Sequence, residues 1–277
     1  QRLAPKQEKK TEDNRMTHIG KKAYKYVYGP VPSWRLGSSL GIDPLSRKEK
    51  ICSYDCFYCQ LGRTNILTDT RQCYVPEEMI IKELEMLPEN IPIDYITLSG
   101  RGEPTLAINL GDTINAIKRI RKEAIAVITN SSLLHRQDVQ NELSSADFVI
   151  AKLDAFSQES FMVINRPFQG TEFDIVIHGI KEFKRHFQGK FALQIMFIKE
   201  NAQYARDIER IVRQIQPDEI QINTPLRPCG VAPLEREELS KIKGLFVGLN
   251  AISVYESQKK YVKPISDKDT LIRRGKI

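Results

Sequence analysis

The chain is 277 residues long, with a net charge of +7 from 42 Lys and Arg against 35 Asp and Glu, 41% hydrophobic residues and five cysteines. That length buries one sizeable core, so a single α/β domain is the expectation. An odd cysteine count argues against a disulfide framework, and no segment supplies a secretory signal or the ~18 apolar residues of a membrane-spanning helix, so a cytoplasmic protein with no membrane attachment is expected.

Residues 1–26 hold eight basic against three acidic side chains. A segment so poor in apolar groups cannot offset its ordering entropy, and residues 1–25 are expected to form a flexible basic leader. Residues 257–277 are as basic, seven against two, within a C-terminal extension over 251–277. The chain between them is mildly acidic at −3, so the basic balance belongs to the ends and not to the core domain over 26–250. In that domain, β-branched or aromatic runs at 39–42, 95–98, 126–129, 148–153, 192–197 and 219–223 alternate with segments of helical period. The helical segments lie near 77–87, 109–122, 135–145, 172–187, 201–215 and 235–246. Six strands each followed by a helix predict a parallel sheet with right-handed crossovers. Six units are too few for a closed eight-stranded barrel, which leaves a partial, open barrel or a doubly wound sheet. Either way the ligand lies at the carboxyl ends of the strands, where Asp43, Gly100, Gly102, Glu103, Asn130, Ser131, Ser132, Asp154 and Thr224 follow them.

Cys52, Cys56 and Cys59 form C-x3-C-x2-C on the loop after the first strand. Thiolates select zinc, copper(I) or iron–sulfur clusters. Structural zinc wants four protein ligands in paired knuckles, and no fourth cysteine or histidine stands close by; His135 and His178 are distant and in helical contexts. A cube held by three cysteines leaves one iron free to bind something else. Cys73 and Cys229 stand alone and read as ordinary thiols.

This motif after the first strand of a six-unit α/β chain resembles the radical S-adenosylmethionine superfamily. The resemblance implies a partial (βα)6 TIM-like barrel and a [4Fe-4S] cluster on Cys52, Cys56 and Cys59. Its unique iron would bind the amino and carboxylate groups of S-adenosyl-L-methionine, and an electron would release a 5′-deoxyadenosyl radical that abstracts hydrogen from a substrate. Tyr58 matches the aromatic position that packs against adenine. Ser99-Gly-Arg-Gly-Glu-Pro-Thr-Leu106 is similar to the family's Gly-Gly-Glu-Pro signature, which holds the methionine ammonium. Gly102, Glu103 and Pro104 carry over directly, Arg101 replaces the first glycine, and Gly100 is expected to supply the close backbone approach. A buried Glu103 needs a cationic partner, and a ligand ammonium is one. Val127-Ile-Thr-Asn-Ser-Ser132 resembles the family's Thr-Asn-Gly, which makes Asn130 a ribose contact assisted by Ser131 or Ser132. Period-two alternation puts Lys152 and Asp154 on one face, as a structural ion pair or as ligand contacts.

The leader 28–44, with Pro-Ser-Trp-Arg-Leu-Gly where the pattern has arginine at Trp34, resembles a narrower group of iron–sulfur oxidoreductases near the wyosine tRNA-modifying radical enzymes. Asn165-Arg-Pro167 and Asn223-Thr-Pro-Leu-Arg-Pro228 extend that likeness, while the second-cluster cysteines of the wyosine synthases are missing before Cys52. Arg35, Arg166 and Arg227 in Pro-rich loops are candidate contacts to an anionic substrate, tRNA or another nucleotide-like anion, and equally loop-bracing side chains. An electron donor of flavodoxin or ferredoxin type is implied. The alternatives are an iron–sulfur electron carrier or sensor that no longer cleaves the cofactor, and a structural zinc protein.

Overall fold

The computed structural model describes residues 24–257 and 260–274. All of the expected leader except Tyr24 and Lys25 lies outside the described residues. The chain runs β1 (Val27–Ser33), β2 (Gly37–Ile42), β3 (Ile51–Cys52), β4 (Ile66–Leu67), α1 (Glu77–Glu85) and β5 (Tyr95–Leu98). A short 3-10 turn, Pro104–Leu106, precedes α2 (Leu110–Ile120), β6 (Ala124–Thr129), α3 (Gln137–Leu143), β7 (Phe148–Lys152), α4 (Gln158–Ile164), α5 (Phe173–His186) and β8 (Lys190–Met196). After these come α6 (Lys199–Ala202), α7 (Ala205–Ile215), β9 (Glu219–Asn223), α8 (Arg236–Lys243), β10 (Ala251–Ser253) and α9 (Asp267–Arg274).

Eight strands form one sheet in the order β1-β2-β5-β6-β7-β8-β9-β10, parallel throughout except for the antiparallel β1–β2 pair. The order follows the chain without reversal, which a doubly wound sheet would require, so the architecture is the partial, open barrel. The strands are buried on both faces, as a parallel sheet covered by its own crossover helices demands. Alternation then divides each strand between core and lumen. Leu36, Ala126, Phe148, Ile150 and Ala192 pack together as an apolar plug in the lumen. Farther along the same faces, Ile128, Lys152, Gln194 and Met196 line a cavity of about 330 Å³ at the carboxyl ends.

All six expected strands are present, flanked by two that the sequence pattern conceals. β1 contains Gly29, Pro30 and Pro32 and its register slips between Tyr28 and Val31, which is tolerable because it is an edge strand. β10 is three residues long, too short to show a period, yet it continues the parallel ladder beside β9. α9 lies on β1, tied by Thr270 Oγ1 accepting from Gly29 N (3.0 Å) and by Gly29 O accepting from Ile265 N (2.6 Å). Val254, Arg273 and Arg274, from the stretch read from sequence as a basic extension, therefore line one side of the cavity.

Candidate cofactor and metal site

The cysteine loop is fixed on two sides. Ile51 O accepts from Glu103 N (3.2 Å) and Ile51 N donates to Arg101 O (3.4 Å), joining β3 to the segment after β5. A Cβ on Gly102 would stand 1.9 Å from Ile51 O, so a glycine is required there. On the other side, Asp55 N donates to Arg166 O, Phe57 N to Ile164 O and Phe168 N to Ser53 O, which sews the loop to the segment following α4. Each thiol has a polar group beside it: Asn130 Nδ2 lies 3.5 Å from Cys52 Sγ, Asn165 Nδ2 3.5 Å from Cys56 Sγ, and Lys50 Nζ 3.1 Å from Cys59 Sγ. Burial, with the carboxylate of Glu103 beside it, pushes the Cys52 thiol up to about 12. Burial, with Cys59 and Asp154 nearby, does the same to Cys56. Burial pulls Lys50 down, but the neighbouring sulfurs of Cys59 and Cys52 prevail and hold it above its ordinary value.

The donor set fits an iron–sulfur cube. Three soft ligands share one loop, and Cys59 faces the cavity, so a ligand on a free iron would meet open space. Among the described residues no three His, Cys, Asp or Glu side chains converge on a point that would hold a single ion.

Glu103 is buried, and among the described residues it has no ion-pair partner. Its Oε1 accepts from Thr105 N, Thr105 Oγ1 and Thr129 Oγ1 at 3.1, 2.8 and 2.7 Å, and its Oε2 from Asn130 N at 2.6 Å. Burial raises its pKa and these four bonds oppose the rise. The carboxylate thus joins the ends of β5 and β6 through its own donors. Pro104 opens the 3-10 turn that Glu103 caps. Gly100 lines the cavity at φ 150°, where a Cβ would meet the Asp43 carboxylate at 2.3 Å. Close contacts thus require glycine at 100 and 102 and leave position 101 free to carry arginine.

Asn130 turns toward the cysteine loop, donating to Ser53 Oγ (2.9 Å) and accepting from Ser132 N (3.0 Å). The Ser132 and Ser53 hydroxyls meet at 2.6 Å. Ser131 holds φ 74°, the left-handed conformation that explains glycine in the related pattern, and its hydroxyl donates to Lys152 O (2.9 Å). Asp154 is buried and fully engaged: Oδ1 accepts from Met196 N (2.8 Å) and pairs with Lys152 Nζ (3.2 Å), while Oδ2 accepts from Asn165 Nδ2 (3.1 Å) and from the Tyr58 hydroxyl. The Tyr58 ring lines the cavity, with Lys152 Nζ 5.3 Å from its centroid. Gln194 escaped notice in the sequence; its Oε1 accepts from Lys152 Nζ (3.4 Å), and its buried Nε2 has no partner among the described residues.

Arg35 and Arg227 both line the cavity, joined there by Arg273 and Arg274 from α9. Arg166 does not join them. It is exposed, held at φ 46°, with its guanidinium 5.3 Å from the centre of the Phe57 ring. The α9 arginines were hidden because nothing in a short charged stretch near the C-terminus shows which side chains turn inward.

Residues 50–215 match the radical SAM superfamily model. A UPF0026 protein of Synechocystis is 41% identical over 213 residues, covering 76% of this chain and 78% of that protein. A Brachyspira hyodysenteriae protein named GTPase Obg is 38% identical over 259 residues, covering 89% of this chain but only 38% of the longer protein. Among solved structures, Streptococcus suis SuiB bound to its precursor peptide SuiA superposes with a TM-score of 0.59 at 14% identity, over 74% of this chain and 47% of that one. Archaeal TYW1 superposes at 0.50 and 12% identity, over 77% and 72%. These two likenesses are of fold. The chain belongs to the radical SAM superfamily, within its UPF0026 group.

Proposed function

We propose that this protein is a radical enzyme that binds a [4Fe-4S] cluster through Cys52, Cys56 and Cys59 and cleaves S-adenosylmethionine reductively to start chemistry on an anionic substrate. The observation that carries the reading is the placement of the three thiols on a doubly braced loop whose last cysteine opens into the cavity at the strand ends. When bound, the cluster supplies the electron that breaks a carbon–sulfur bond of the cofactor, yielding methionine and a 5′-deoxyadenosyl radical; an external flavodoxin- or ferredoxin-like donor restores that electron. The chain's own residues hold the reactants. Tyr58 offers its ring to adenine, its hydroxyl already fixed by Asp154. The backbone from Gly100 to Pro104, braced by Glu103, receives the methionine end, and the unpaired Nε2 of Gln194 donates to ribose or carboxylate. Asn130, Ser131 and Ser132 hold the loop that carries these contacts, and Lys152 supplies the cation nearest the cavity floor. The arginines at the cavity, Arg35 and Arg227 among them, suit a nucleotide-like anion as substrate.

Trp34, Arg101 and Ser131 depart from the family pattern without disturbing this arrangement. Trp34 stacks under Arg35, Arg101 lies between the two positions where contacts demand glycine, and Ser131 adopts the glycine-like conformation. That supports an enzyme over a cluster protein that only carries electrons. The test is anaerobic reconstitution, reduction with dithionite, and assay of 5′-deoxyadenosine and methionine. Both should form in the wild-type chain. A loaded cluster that yields neither, even with cell extract as a source of substrate, overturns the reading.

A further inference from the structure

The rim of the cavity gathers guanidinium groups from three distant stretches: Arg35 in the β1–β2 turn, Arg227 in the loop after β9, where it meets Gln60 beside Cys59, and Arg274 at the end of α9. None of the three has an ion pair among the described residues. Arg35 rests on the Trp34 ring, 5.2 Å from its centroid to the guanidinium carbon, and its buried Nε has no hydrogen-bond partner among the described residues. Arg227 donates only to neutral oxygens, Gln60 Oε1 and the carbonyl of Arg274. Arg274 reaches only Pro32 O, at 3.4 Å. Burial, and then repulsion from the neighbouring arginines, lower Arg35 and Arg227 to about 10, and burial lowers Arg274, so Arg35 and Arg227 stay charged at neutral pH. The nearest attraction on Arg35 comes from Glu219, whose carboxylate is already held by Lys190 and Gln221.

The same fold shows what a structural arginine looks like. Arg71 is buried, and its guanidinium meets Thr105 O, Ala107 O, Asp138 and Glu142. Nothing comparable satisfies the rim, and half-buried like charges without a counter-ion are costly to keep unless a ligand brings the opposite charge. Planar forks converging on one space suit phosphate oxygens.

We infer that Arg35, Arg227 and Arg274 form a phosphate-binding subsite for a phosphorylated small-molecule substrate, with the phosphate among the three guanidinium groups and the remainder of the molecule in the cavity. The three guanidinium groups lie among the cavity-lining residues, with α9 supplying Arg273 and Arg274 to that lining, which favours a metabolite-sized phosphate ester that enters the cavity over a folded nucleic acid. The inference rests on the proposed reaction for the direction in which substrate lies, while the anion site stands on the arginines alone.

The test titrates inorganic pyrophosphate into the cluster-loaded full chain by calorimetry, with Arg35→Gln, Arg227→Gln, Arg274→Gln and the exposed control Arg119→Gln, and measures 5′-deoxyadenosine in parallel. Wild type should bind pyrophosphate with one-to-one stoichiometry, each rim substitution should weaken it about tenfold or more, as loss of a charged hydrogen bond implies, and Arg119→Gln should leave it unchanged. Arg35 makes no side-chain hydrogen bond, so Arg35→Gln should fold normally and carries the decision. No saturable binding, equal losses in Arg119→Gln, or an unaltered Arg35→Gln would overturn the subsite. Displacement of pyrophosphate by tRNA far below the concentration at which adenosine monophosphate displaces it would overturn the small-molecule class. Pyrophosphate binding without 5′-deoxyadenosine would defeat the radical reading and leave the subsite standing.

Discussion

The two sides of the cavity are built on opposite principles. On the cysteine side the buried carboxylates and the thiols have partners: Glu103 accepts four hydrogen bonds, Asp154 has four donors, and each of the three thiols has an amide or ammonium beside it. On the arginine side three cations face one another with neutral oxygens, or nothing, to bond. A site that must hold a cluster at fixed geometry gains from being fully determined before its ligand arrives. A rim left electrostatically incomplete gains only when the ligand completes it. The difference teaches which residues define the cofactor's place and which discriminate what enters beside it.

The largest expected effect lies on the determined side. Cys52→Ala, Cys56→Ala and Cys59→Ala should each abolish bound iron and sulfide, read by metal analysis and visible absorbance, whereas exposed Cys73→Ala and half-buried Cys229→Ala should retain both. Iron retained at full stoichiometry in any of the first three would break the comparison at its root. Next comes Asp154→Ala. It strands Met196 N, the Tyr58 hydroxyl, Asn165 and the half-buried Lys152 at once, and removing one partner of a buried pair costs about 3–5 kcal/mol. Urea unfolding should show that loss, and iron content should fall with it because Asn165 also touches Cys56. A loss below about 1 kcal/mol would mean that the network is slack and that the two sides differ less than their contacts suggest.

Smaller again is Ser131. Its left-handed backbone costs about 1–2 kcal/mol, and its hydroxyl bond to Lys152 O returns about 1 kcal/mol. Ser131→Gly removes both and should change stability by less than about 1 kcal/mol, while Ser131→Ala keeps the strain, loses the bond and should cost about 1 kcal/mol. Equal effects of the two would show that the backbone there is unstrained.

What the sequence made legible follows from how local each signal is. The cysteine loop, the six central strands and the residues just beyond the strand ends are written in short spacings and in period two, so they could be placed without coordinates, whereas the strand order that separates an open barrel from a doubly wound sheet could not. The role of Glu103 could not: a buried carboxylate wants partners, but that these are Thr105, Thr129 and Asn130 depends on how the ends of β5 and β6 meet. Gln194 and Lys50 carry no motif at all. Arg166 looked equivalent to Arg35 and Arg227 because all three sit near prolines, yet a φ of 46° turns it onto Phe57. Arg274 contributes through a helix that folds back from the far end of the chain onto β1, a long-range contact that periodicity does not report.

The smallest effect sharpens the comparison most, because it contrasts two arginines in one molecule. Arg71→Ala should cost about 3–5 kcal/mol, since it leaves Glu142 and two carbonyl oxygens without this donor, while Asp138 keeps Arg136. Arg35→Gln removes a charge that has no acceptor and that Arg227 and Arg274 repel. For a base whose pKa falls on folding, the protonated form is the one the fold disfavours, so at neutral pH, below both folded and unfolded values, that charge subtracts from stability. Arg35→Gln should therefore leave urea stability within about 0.5 kcal/mol of wild type or raise it, and the gain should shrink as salt screens the wild-type repulsion. With pyrophosphate present the order should invert, wild type becoming the more stable because only it binds the anion tightly. A substantial loss for Arg35→Gln in plain low-salt buffer would mean that Arg35 braces the β1–β2 turn, and the contrast between a finished floor and an unfinished rim would fail.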